Sequence, residues 1–119
     1  MSIDEQTNVR LDSLLSYLRE GRILDAMREF YADNVTMEEP GQSTHGLAAN
    51  TEREKNWLSS VREVRNLQVP RHAAGPNTAM YECILDWTDT QGKDHHIEQV
   101  AVQTWKHGKI IHERFYYDA

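Results

Sequence analysis

The sequence predicts an α+β fold, with helices early in the chain and an antiparallel sheet after them. Three observations carry that expectation. Leu11, Leu14, Leu15 and Leu18 recur at i, i+3, i+4 and i+7, one face of a helix. From Met80 onward the pattern alternates instead, with Tyr81, Cys83, Leu85 and Trp87 on one side. Two further strands, over 97–105 and 109–117, close the chain around His107-Gly108. Helices followed by strands, rather than an alternation of the two, belong to the α+β class.

The elements follow in order. Thr7 or Asn8 suits the start of the leucine helix, and Gly21 suits its end. A second, short helix places Ile23, Met27, Phe30 and Tyr31 on one side and ends at Ala32-Asp33-Asn34. Val35, Met37 and Glu39 then share one side of a short strand, which Pro40-Gly41 stops. A long helix is expected over 47–67, with Trp57, Leu58, Val61 and Val64 as its apolar stripe and Glu52, Arg53, Glu54 and Lys55 toward water. A short strand over 71–74 ends at Gly75-Pro76-Asn77. The strand over 80–88 runs into a turn at Asp89-Thr90-Gln91-Gly92. A long helix over a curved meander leaves a cavity between them.

The 119 residues fit one domain, 1–119. No apolar run approaches the ~20 residues of a membrane span, and the polar start MSIDEQTNVR lacks a secretory core, so no membrane role is expected. Cys83 alone forms no internal disulfide, which points to a reducing cytoplasm. Nineteen acidic against thirteen basic residues give a net charge of -6, which phosphate backbones repel. Arg62, Arg65 and Arg71 are interrupted by Glu63 and read as a solvated face, so nucleic acid is not an expected partner. His95 and His96 are adjacent and point to opposite sides of a strand. His45 and His112 have no ligand spacing, and His72 stands among small residues, so no metal is expected. No phosphate loop, dinucleotide glycine pattern or Ser-His-Asp order suggests a cofactor or nucleophile.

Tyr31-Ala32-Asp33-Asn34-Val35, the Glu39-Pro40 after it, Trp105-Lys106-His107-Gly108-Lys109-Ile110-Ile111, and Glu113-Arg114-Phe115-Tyr116-Tyr117-Asp118 together form a recognisable pattern. In order and spacing the chain resembles the SnoaL-like branch of the nuclear-transport-factor-2-like superfamily. The resemblance implies a cone, a cystatin-like α+β roll of three helices on a strongly bent, mostly antiparallel sheet. It also implies an internal pocket and a homodimer through the outer sheet face. The superfamily holds cyclases, isomerases, hydrolases and dehydratases as well as proteins that only bind, so fold does not settle function.

Glu39 ends a strand face that is otherwise apolar, where a carboxylate is costly unless paired or wet. It either reaches the pocket or sits at the rim near the long helix. Glu113 depends on the closing turn. A two-residue turn sets Glu113 opposite Val102 and Phe115 opposite Val100. A three-residue turn with a bulge at Gly108 faces Ala101 to Glu113 and Gln99 to Phe115. The resemblance implies the second, which would bring Gln99, Gln103, Glu113 and Phe115 into the cavity; otherwise Glu113 pairs with an outward arginine. The acid that catalytic relatives carry three residues before the closing Asp is here Phe115, and their histidine two residues after Gln99 is Ala101. Acid/base work would then fall to Glu113 with Glu39, since two carboxylates in a dry pocket raise one pKa. Cys83 reads as a small buried hydrophobe. Tyr31, Trp57, Tyr81 and Trp87 fill core or line the cone, with Trp57 best placed to do the latter. Such walls suit a small, largely apolar ligand carrying a hydroxyl or carbonyl. Metal-free isomerase, lyase or hydrolase chemistry is one expectation; a non-catalytic ligand-binding or protein-interaction module is the other.

Overall fold

The computed structural model describes residues 3–118, with side chains placed from residue 6 onward. Helices α1 (Ile3–Arg19) and α2 (Ile23–Phe30) lead into strands β1 (Tyr31–Glu39) and β2 (Gln42–His45) and helix α3 (Leu47–Ser59). Strands β3 (Val61–Gln68), β4 (His72–Gly75), β5 (Thr78–Asp89), β6 (Asp94–Lys106) and β7 (Lys109–Tyr116) complete the chain. They form one curved sheet in the order β2-β1-β7-β6-β5-β3, with β4 also on β5. All pairs are antiparallel except β1 with β7. The α+β class is as the sequence predicts. Among the described residues no helix is long and apolar enough to cross a membrane.

The leucine stripe of α1 lies in the core. Leu11, Leu14 and Leu15 are fully buried against Met27, Phe30, Tyr31 and the inward side chains of β5, β6 and β7. Phe30 meets the rings of Tyr17 and Trp105 edge-on at 5.4 and 6.4 Å. The helix starts at Ile3, so Thr7 and Asn8 are interior positions rather than caps. It ends as Gly21 allows: φ of +75° there lets Gly21 and Arg22 N–H donate to the carbonyls of Leu18 and Tyr17.

Two helix boundaries are corrected. The second helix stops at Phe30, not at Ala32-Asp33-Asn34, because Tyr31 already pairs with Ile110 of β7. The strand then bulges, taking five residues from Tyr31 to Thr36 while β7 advances from Ile110 to His112. The third helix ends at Ser59 rather than Leu67. Ser59 and Ser60 turn their hydroxyls back onto the carbonyls of Asn56 and Trp57, and Val61–Gln68 pairs with β5 instead. Val61 and Val64 keep helical spacing from Trp57, but β-branched residues also suit a strand, and pairing with β5 decides. Val64 is consequently 49% exposed and belongs to no apolar stripe.

The closing hairpin takes neither expected register. His107 and Gly108 both have positive φ, 52° and 75°, the two-residue turn that matches strand twist. The extra residue is Ile111, inside β7, between the pairs Trp105–Ile110 and Thr104–His112. Gln103 therefore faces Glu113, and Ala101 faces Phe115. The bulge falls elsewhere than Gly108 but has the same parity effect, so Gln99, Gln103, Glu113 and Phe115 share the concave face.

Candidate functional site

Across β5, β6 and β7 the concave face is layered by register. Ala79, Gln103 and Glu113 form one layer; Tyr81, Ala101 and Phe115 the next; Cys83 and Gln99 the third; Leu85 and Ile97, then Trp87 and His95, follow. Burial falls along all three strands in the same direction. The first layer is sealed, whereas Leu85, Trp87, Ile97, Gln99, Phe115 and Tyr117 are only partly buried. Cover over this face therefore thins toward the end of β5 and β7, and Glu113 lies one layer beneath the partly covered one.

Glu113 has 0% exposure and both its oxygens are occupied. The Tyr31 hydroxyl donates to Oε1 at 2.5 Å, and Gln103 Nε2 donates to Oε2 at 2.5 Å. Trp105 Nε1 in turn donates to Gln103 Oε1 at 3.0 Å. Burial pushes the Glu113 carboxyl up to about 7, and the Glu54 charge adds to this. The bonds from Gln103 and Tyr31, and the Arg53 charge, pull the other way without cancelling it. Burial and the Glu113 charge hold Tyr31 and Tyr81 well above the usual phenol range. Tyr81 is 5% exposed, and among the described residues its hydroxyl has no hydrogen-bond partner.

Helix α3 contributes charges that the sequence pattern assigned to water. Arg53 Nη1 donates to Glu39 Oε2 at 2.5 Å, and Arg53 Nε is buried without a partner among the described residues. Glu54 is partly buried, with its carboxyl raised by desolvation against the lowering effect of Arg53. Asn50, Glu54 and Trp57 stand at i, i+4 and i+7, so one helix face carries all three. That spacing was the available signal for Glu54. Asn50 is fully buried and ties α3 to its own start through the carbonyls of Thr44 and Gly46.

The remaining candidates spread from apex to rim. Glu39 lies at the rim in its ion pair with Arg53 rather than beside Glu113. Trp57 is partly buried and meets Trp87 edge-on at 5.5 Å; Trp87 stacks on His95 at 4.8 Å. A groove of about 460 Å³, large enough for a small molecule, wraps the end of β7 and is bounded by Pro40, Glu98, Arg114, Phe115, Tyr116, Tyr117 and Asp118, so it takes in residues of both sheet faces. A second of about 340 Å³ reaches Cys83 and Gln99. Neither is lined by Glu113, Tyr31, Gln103 or Trp57, but Phe115 stands two residues from Glu113 on the same strand face. Among the described residues no three His, Cys, Asp or Glu side chains converge as a metal site requires.

The profile of the SnoaL-like domain matches residues 6–117. A candidate SnoaL-like polyketide cyclase from Mesorhizobium loti superposes with a TM-score of 0.83 at 25% identity, covering 98% of this chain and 100% of that one. An NTF2-like protein of unknown function from Burkholderia pseudomallei gives 0.79 at 15% identity over 99% and 92% of the two chains. A candidate isomerase from Bacillus subtilis gives 0.78 at 18% identity over 99% and 90%. The last two are alike in fold alone. Among curated proteins, none matches the chain.

Proposed function

The chain belongs to the SnoaL-like family, and on that premise we propose that it binds a small, largely apolar carbonyl compound at the cone mouth and exchanges a proton with it through Glu113. The supporting observation is a single one. Glu113 is a sealed carboxyl, held by Tyr31 and Gln103, whose proton is poised to leave near neutral pH. The ligand's oxygen takes that proton as the compound enolises, and its α-hydrogen leaves to solvent at the mouth. Glu39 and Glu54 outnumber Arg53 on this side, so a neutral ligand is favoured over an anion.

The test uses small cyclic ketones, cyclohexenone among them, in heavy water, with α-deuteration followed by proton NMR. Exchange above buffer is expected, falling about a hundredfold or more in Glu113→Gln. It should also fall as pH rises through about 7, because the acid form does the work. Equal rates in the variant would exclude the role. A non-catalytic binding module is the second reading, favoured by the full occupancy of both Glu113 oxygens. It corresponds to ketones that shift the Phe115 and Trp57 resonances with no exchange.

The same proposal includes a homodimer in the cytoplasm. Met80 and Tyr116, 42% and 48% exposed, flank Val100 and Val102 on the convex face. Sedimentation is expected at twice the 13.8 kDa chain mass, with Val102→Asp returning to one chain. A wild-type monomer contradicts it.

A further inference from the structure

The side chain of Trp105 decides where the Glu113 proton can sit. An indole N–H only donates. Its partner at 3.0 Å must therefore be the oxygen of the Gln103 amide, which leaves the amide nitrogen facing Glu113 Oε2. Whatever the ionisation of Glu113, Oε2 is thus committed as an acceptor. Oε1 meets a hydroxyl, and a hydroxyl can either donate or accept.

We propose that Trp105 and Gln103 are positioning residues that confine the Glu113 proton to the oxygen facing Tyr31, and that Tyr31 hands this proton to the ligand. The second half rests on the acid role proposed above; the first stands without a ligand. The transfer balances simply. The ligand oxygen takes the proton of the Tyr31 hydroxyl while the Tyr31 oxygen takes the proton from Glu113 Oε1. Glu113 is left as a carboxylate accepting from Tyr31 and Gln103, and one proton has passed from protein to ligand. Tyr31 begins and ends neutral, as suits a phenol whose ionisation burial opposes.

Glu113 has no exposed surface, and Tyr31 as a whole residue is 7% exposed. The hydroxyl of Tyr81, coupled electrostatically to both Tyr31 and Glu113, supplies a second hydrogen-bonding group beside them. The titratable and charged groups facing Glu113 are Tyr31 on β1, Tyr81 on β5, and Arg53 and Glu54 on α3.

The test is a ligand-free NMR titration with carbon-13 in the Glu carboxyl and Tyr ring Cζ positions. Tyr31 Cζ is expected to move with the Glu113 carboxyl at one midpoint, since its hydroxyl changes from donor to acceptor as Glu113 takes a proton. Trp105→Phe frees the Gln103 amide to turn, and the Glu113 midpoint should rise by about one pH unit as a charge-assisted bond weakens. A merely structural Trp105 leaves that midpoint unmoved in a folded variant. A Tyr31 Cζ signal that ignores the Glu113 titration overturns the proposal on wild-type protein alone, whether or not the variant folds. Neither measurement involves ketone exchange, so the two ideas can fail separately.

Discussion

Replacing Glu113 by Gln is expected to raise stability at pH 8 by about 3 kcal/mol and to leave it unchanged at pH 4, an inversion of the usual effect of altering a buried polar residue. The neutral amide can place its oxygen against Gln103 Nε2 and its nitrogen against the Tyr31 oxygen, reproducing the protonated acid. The sign follows from the proton count. Between the ordinary value of 4.5 and about 7, the folded chain binds a proton at Glu113 that the unfolded chain has released. Wild-type stability therefore falls as pH rises through that window, and the variant has no such slope. His96, raised by its bond to Asp86, adds a slope of the same sign at higher pH. The difference between wild type and variant removes that contribution. Urea titrations at several pH values supply the measurement. Parallel curves for the two proteins contradict a sealed, near-neutral Glu113.

Phe30→Ala is expected to lower stability by about 3–5 kcal/mol, a large share of the total for a chain of this size. The ring is almost fully buried between Tyr17 and Trp105, with the Arg10 guanidinium 4.6 Å above it. The midpoint of thermal unfolding should drop by about 15 °C. Its consequence reaches the site, because Trp105 loses the ring that fixes the indole donating to Gln103. A loss below about 1 kcal/mol would mean that the helices and sheet close around the gap, contrary to the packing seen here.

Much of this architecture is legible in the chain because it rests on local periodicity. The leucines of α1 and the alternation through Tyr81 and Cys83 each reflect one face packed against one core. What escaped periodicity was decided by pairing at a distance. Val61 and Val64 fit a helix as well as a strand until β5 is there to receive them. Tyr31 reads as a helix residue until β7 lies beside it. The site shows the same division. Parity groups Gln99 with Gln103 and Glu113 with Phe115, each pair on its own strand; that both pairs share one face is what the resemblance implied. The Ile111 bulge that sets their partners has no signature in residue type. Glu54 and Arg53 were hidden in a charged run, where only their spacing from Asn50 and Trp57 distinguishes the inward side. The Trp105–Gln103–Glu113–Tyr31 chain joins β6, β7 and β1, and no sequence spacing encodes it.

The most direct measurement is the titration of the Glu113 side-chain carboxyl by carbon-13 NMR in the ligand-free protein. A midpoint near 7 is the expected result, with Glu113 protonated at mildly acid pH and ionised above neutrality. A midpoint near 4.5, that of an ordinary solvated glutamate, would contradict the sealed acid on which the proposed chemistry depends.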